Sequence, residues 1–136
     1  KGSYILAADS VVACGRRLLE KAVDKDEASK FLTLLSGRRH RVYGGISLIT
    51  PAGEQTFRVV QTMVQFKRLS QIEIDGYIAS GEWEGKAGGY GIQGLASAFV
   101  KSLQGSYSNV VGLSLYDTAQ MLSGNGYPLF QSFSKE

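Results

Sequence analysis

Two long strand-like runs, Arg39 to Thr50 and Gln55 to Lys67, are separated only by Pro51-Ala52-Gly53-Glu54. Proline and glycine in so short a stretch make it a turn by composition, so the fold is organised around a sheet that holds both runs. In the second run, Phe57, Val59, Met63 and the set Thr62, Val64 and Phe66 are too mixed for one clean alternating face. Strands buried on both sides read this way, and a central strand is expected there. Tyr4 to Ala8 is a third, short apolar run. It is expected to be a buried strand carrying Asp9 at its C-terminal end, with Cys14 to Leu19 as a short basic connection after it.

The helices announce themselves by their caps. Asp24 with Glu27, Ser70 with Glu73, and Ser114 with Asp117 each place an acceptor three residues before an acid, the pattern that satisfies the free amides of a first turn. Gly37, Gly81 and Gly124 supply the stops. In the first of these helices Ala28, Phe31, Leu32 and Leu35 share one face at helical spacing, so it packs on a core. A glycine-rich stretch, Gly81 to Gly94, leads to an apolar segment around Ala98 to Leu103, a tight Gln104-Gly105 turn and Tyr107 to Val111. Asn125 to Glu136 has no clear period. Strands mixed with separate helices argue for an α/β or α+β domain built around one sheet. The α/β class, with a mixed sheet flanked by helices, is the expectation, as one domain over residues 1–136.

Composition closes off several classes. With 136 residues, 43% hydrophobic and 20% charged, the chain has the make-up of an ordinary globular domain able to bury a core. No run of 18 apolar residues exists, so no transmembrane helix is expected. The single Cys14 cannot form an internal disulfide. A net charge of +3 is mild beside that of dedicated nucleic-acid binders. The chain opens on Lys-Gly-Ser-Tyr and reads as the interior of a longer protein.

Candidate chemistry concentrates in Gly81 to Gly94, GEWEGKAGGYGIQG, where six glycines are interleaved with Trp83, Lys86, Tyr90 and Gln93. A flexible linker would be glycine and serine. This mixture suits a loop whose backbone approaches a ligand, with a cation and an amide at fixed offsets; the plainer reading is a glycine-rich connection between core elements. Gly89, Gly91 and Gly94 spell the dinucleotide fingerprint G-x-G-x-x-G, but no strand precedes them and the next acid, Asp117, stands too far on, so that reading is rejected. Lys86, with glycines around it, suits a phosphate. Asp9 at a strand end suits a metal or base role, or a simple turn. Lys21, ahead of the Asp24 cap, suits an anion, or is merely solvated. Arg38 to Arg41 is the densest basic run, mostly a solvated strand start, although Arg38 could reach a phosphate. His40 is the only histidine, which rules out a histidine-rich zinc site and gives no sign of a Ser-His-Asp arrangement. Cys14 reads as structural.

ILAADSVV (5–12), LLEKAVDKDEA (18–28), LSGRRHRVYGG (35–45), GEWEGKAGGYGIQGLA (81–96) and GSYSNVVGLSLYDTAQML (105–122) stand in an order that resembles Maf proteins, nucleoside triphosphate pyrophosphatases first named for inhibition of septum formation. The resemblance implies a two-lobed α/β fold related to inosine triphosphate pyrophosphatases and a cytoplasmic homodimer. It implies cleavage between the α and β phosphates with a divalent metal, magnesium or alternatively manganese. Asp9 matches the aspartate expected to serve the metal or the attacking water, and Lys21 the catalytic lysine of an L-G-K-P motif. Lys86 and Gln93 match the nucleotide-contacting K-A-G-x-Y-G-I-Q-G motif, in the form of the branch that prefers dTTP and UTP.

Three departures stand out. Leu-Glu-Lys-Ala replaces L-G-K-P at residues 19–22, Gly44 stands where threonine is usual, and the phosphate-gripping S-x-S-P-R-R motif has no counterpart in the chain. They keep open a second reading, a catalytically silent nucleotide-binding or cell-division regulatory protein. Nucleic-acid binding through Arg38 to Arg41 rests on charge alone, and no membrane role is indicated.

Overall fold

The computed structural model describes residues 2–130. Five strands form one sheet in the order β2-β1-β3-β4-β5. They are β1 (Ile5–Cys14), β2 (Arg17–Leu19), β3 (Arg39–Ile49), β4 (Gln55–Phe66) and β5 (Val100–Gln104). The helices are α1 (Lys25–Leu35), α2 (Gln71–Ser80), α3 (Tyr107–Val111) and α4 (Leu115–Gly124), with a 3-10 turn at Leu95–Phe99. The α/β class holds, but the sheet is antiparallel in all four pairings instead of mixed. None of the helices is long and apolar enough to cross a membrane among the described residues. Part of the tail, residues 131–136, lies outside them.

Register explains where the core sits. Successive side chains on a strand point to opposite faces, and in β3 the even positions His40, Val42, Gly44, Ile46 and Leu48 are buried while the odd ones are not. Val12 of β1 and Thr62 of β4 are both paired with Val42, so one face of the sheet is continuous across three strands. All four helices contribute to covering that face. Val42 and Val64 join α1 and α2 in the larger cluster with Phe31, Leu32, Ile74 and Tyr77. Ile46 and Leu48 join Met121 of α4 in a smaller one. Gly44 falls between the two, beneath the buried side chain of Asn109.

Two expectations about strands need correction. β4 is not buried on both sides: Phe57 is 65% and Val59 57% exposed, because the odd face carries no helix. The mixed hydrophobic pattern reflects an apolar but uncovered face. Asp9 does not end its strand either; β1 is exposed at Ile5–Ala8 and runs on to Cys14, carried by a continuous ladder to β3 from Ile5–Ile49 through Ala13–Arg41. The basic connection after Cys14 is a hairpin into β2, which pairs only with Val12, Ala13 and Cys14. Among the described residues the outer edge of β1 from Ile5 to Val11 therefore has no strand partner, and Asp9, opposite Gly45, is exposed on the same uncovered face as Phe57 and Val59.

The predicted caps are present. The Asp24 carboxylate accepts from the Glu27 amide at 2.8 Å, and Ser70 and Glu73 form a reciprocal capping box. Gly81 ends α2 in the left-handed region at φ 79°, a conformation that costs glycine nothing.

Candidate active site

A cleft of about 630 Å³ lies on the covered face, over β1 and its neighbour β3. Its floor is Ala8, Ser10 and Val12 of β1 with Val42 of β3; one wall is the loop 81–94, the other the end of α3 at Val110, Val111 and Gly112. A second depression, of about 800 Å³, lies on the uncovered face around Tyr43, Phe57 and Val59. Ala8, Asp9, Ser10 and Lys21 border both, so Asp9 and Lys21 stand on the ridge between them.

The wall is joined to the floor through the backbone. Lys21, just past β2, forms an isolated antiparallel bridge with Ala87, and the Gly88 amide donates to the Glu20 carbonyl at 3.1 Å. Gly88 has φ 73°, and a Cβ there would meet the Val12 side chain at 3.0 to 3.2 Å, so the loop reaches β1 only because this residue is glycine. One bridge thereby sets Lys21 and Lys86, far apart in the chain, at the rim beside Asp9.

Asp9, Lys21, Lys86 and Gln93 all line the cleft, and all four are exposed. One oxygen of Asp9 accepts from the Ser10 amide at 2.9 Å. The stem of Lys86 lies across Gly91, with Cε 3.0 Å from where a Cβ would stand. Arg38 is exposed in the turn between α1 and β3 and lines neither cavity. His40, read with the solvated basic run, is instead buried: the β3 alternation turns Arg39 and Arg41 outward and His40 in. Cys14 is buried and free.

Buried aromatics hold the loop from beneath. Trp83 is 6% exposed and its indole donates to the Ile78 carbonyl. The Gly91 amide donates to the Tyr77 hydroxyl at 2.9 Å. Tyr90 shares a 2.5 Å hydrogen bond with His40 Nε2, and both rings pack edge-on against Phe66. Burial lowers the His40 pKa to about 4 and raises that of Tyr90, so this pair is neutral at physiological pH.

The cleft also contains residues that sequence reasoning did not single out: Ser10, Glu82, Glu84 and the Val110–Gly112 wall. Ser10 and the two glutamates could have been found as neighbours of chosen residues. The α3 wall lies in the run 105–122 that resembles Maf proteins, but nothing in that run marked a site; it is an apolar helix end brought in by tertiary packing. Among the described residues no cluster of three or more histidine, cysteine, aspartate or glutamate side chains could hold a metal ion. The exposed Asp9 suits a hard cation that takes most of its oxygens from phosphate and water.

The profile of the Maf family, described as "Maf-like protein", matches residues 1–125. The chain belongs to the Maf family. It is 58% identical over 129 residues to a dTTP/UTP pyrophosphatase of Rhodopseudomonas palustris (strain HaA2), covering 95% of this chain and 62% of that protein. It is 63% identical over 126 residues to one of Paramagnetospirillum magneticum, covering 93% and 66%. It is 60% identical over 131 residues to one of Mesorhizobium japonicum, covering 96% and 63%. The chain thus spans a little over three fifths of the length of these Maf relatives.

Proposed function

We propose that this Maf protein hydrolyses dTTP and UTP to the monophosphate and pyrophosphate in the central cleft. The observation that carries the reading is the Lys21–Ala87 bridge, which gathers two lysines and Asp9 at one rim; the names of the relatives supply the substrate class. Attack of water on the α phosphorus breaks the bond to the bridging oxygen and releases pyrophosphate. Lys21 and Lys86 offset the negative charge that a triphosphate brings and that builds on its oxygens. Asp9 holds the cation or takes the proton of the attacking water, and Gln93 offers an amide to the nucleotide. Arg38, which lines neither cavity, is left out of this set. A divalent cation, with magnesium as first choice and manganese second, would supply charge screening and Lewis acidity at the phosphates. A cytoplasmic homodimer is the setting the family resemblance implies.

The test is pyrophosphate release with Mg²⁺ across dTTP, UTP, dATP and GTP. Selective turnover of dTTP and UTP is expected, falling about a hundredfold or more in Asp9→Asn and Lys21→Ala. Near-normal rates in both variants would remove these residues from the machinery. Nucleotide binding without turnover by the unmodified protein would favour the silent binding protein, a reading motivated by Glu20 and Ala22 flanking Lys21 in place of glycine and proline.

A further inference from the structure

Gln93 has a problem of placement. It is exposed in the cleft wall, between Ile92, which is buried in the core, and Gly94, which has no side chain to anchor the backbone. Glycine-rich segments sample many conformations, and an amide that must meet a ligand at a defined point needs its backbone fixed. Beneath the loop Tyr90, the Gly91–Tyr77 hydrogen bond and buried Ile92 fix it on one side and buried Ala96 on the other, leaving Gln93, Gly94 and the exposed Leu95 without a core anchor of their own.

We propose that Glu82 is a positioning residue whose carboxylate closes the glycine loop and holds Gln93 at the cleft. Glu82 Oε1 accepts from the Leu95 amide at 2.8 Å, joining the first turn of the loop to the start of the 3-10 turn that follows it. The same carboxylate fills the space over Gly94, where a Cβ would collide with Oε1. Gly94 is therefore glycine for clearance: it lets the carboxylate lie flat on the backbone beside Gln93. Glu82 is itself held from the α2 side, its amide donating to Ser80 Oγ at 3.2 Å and its neighbour Trp83 anchored in the core. The clamp thus runs from a rigid helix end, across the mouth of the loop, to the residue after Gln93 and Gly94. A carboxylate spent on a backbone amide acts through its acceptor oxygen, and its charge is secondary. That separates a clamp from a metal ligand or a base.

The role assigned to Gln93 rests on the nucleotide reading above; the clamp does not. Two measurements on the full chain separate them. The first is amide hydrogen exchange without nucleotide, in the unmodified protein, Glu82→Ala and Glu82→Gln. The second is calorimetric binding of α,β-imido-dUTP with Mg²⁺ to the same three proteins. Glu82→Ala should exchange the Leu95 amide about tenfold faster or more, with β3 amides and the thermal midpoint little changed. It should bind the analogue about tenfold more weakly. Glu82→Gln keeps an acceptor oxygen and should restore both. Unchanged Leu95 exchange in Glu82→Ala, or a glutamine variant as impaired as the alanine one, overturns the proposal. If the unmodified protein binds no analogue, the nucleotide reading falls and the exchange arm alone decides the clamp. Should Glu82→Ala not fold, Gly94→Ala, which displaces the carboxylate, carries the same exchange test.

Discussion

His40 shows how far one residue can depart from its surroundings in sequence. It stands among three arginines, yet its ring is 2% exposed, bonded to Tyr90 and left with an unpartnered Nδ1 among the described residues. Its folded pKa of about 4 lies below the ordinary 6.5, so the unfolded chain takes up a proton that the folded one refuses. Stability from this residue is complete above pH 6.5 and is lost as pH falls towards 4, amounting to about 2–3 kcal/mol by pH 4.5. His40→Gln keeps a partner for Tyr90 and does not titrate. It should be less stable than the unmodified protein at pH 7, with the gap narrowing by roughly that amount at pH 4.5. Urea midpoints at the two pH values measure it; a constant gap would mean that His40 is not the titrating group. Nothing in the run Arg38 to Arg41 taken alone tells inward from outward. Only the strand phase does, and the phase was legible in the apolar even positions that follow, Val42, Ile46 and Leu48.

At the scale of elements, what was local in sequence was legible and what depended on pairing was not. The caps at Asp24, Ser70 and Ser114 each act within three residues, so the helices they open could be placed from the sequence. The extent of β1 is set by its ladder to β3, and the existence of β2 by three pairs with β1, neither visible in the strand's own residues. The same holds for α3, which at five residues is too short to be stable alone. Buried Asn109 ties it to the sheet. Its Nδ2 donates to the Val42 and Val60 carbonyls and to Thr62 Oγ1, and its Oδ1 occupies the space above Gly44, where a Cβ would clash. Gly44 is thus matched to this asparagine. Asn109→Ala removes the tie to both carbonyls and to Thr62 Oγ1, although the latter keeps its bonds to Ser106, so a loss of about 2–4 kcal/mol is expected, read by urea unfolding. A loss below about 0.5 kcal/mol would show that α3 is held by its apolar contacts instead.

At the scale of the molecule, the site is assembled from segments that meet only because a one-sided sheet offers a single face for packing. Asp9, Lys21, Lys86 and Gln93 were each legible as residue types in suggestive settings, and their shared motifs tied them to one family. That they border one cleft depends on the contact between the loop and β1, which passes through Gly88. Alanine there would have to keep a left-handed φ of 73° and would press its methyl group on Val12. The two penalties together are expected to cost about 2–3 kcal/mol. The larger effect should fall on function, since lifting the loop breaks the Gly88–Glu20 hydrogen bond and moves Lys86 relative to Asp9. A displacement near 1 Å in such a constellation costs about a hundredfold in rate. Gly88→Ala should therefore remain folded at 25 °C by urea titration yet lose about that much pyrophosphate release. Adding Val12→Ala removes the methyl contact but not the backbone strain, so the double variant should recover part of the rate. Full activity in Gly88→Ala would show instead that the lysines find their places without the bridge, and that the sheet edge and the loop act independently.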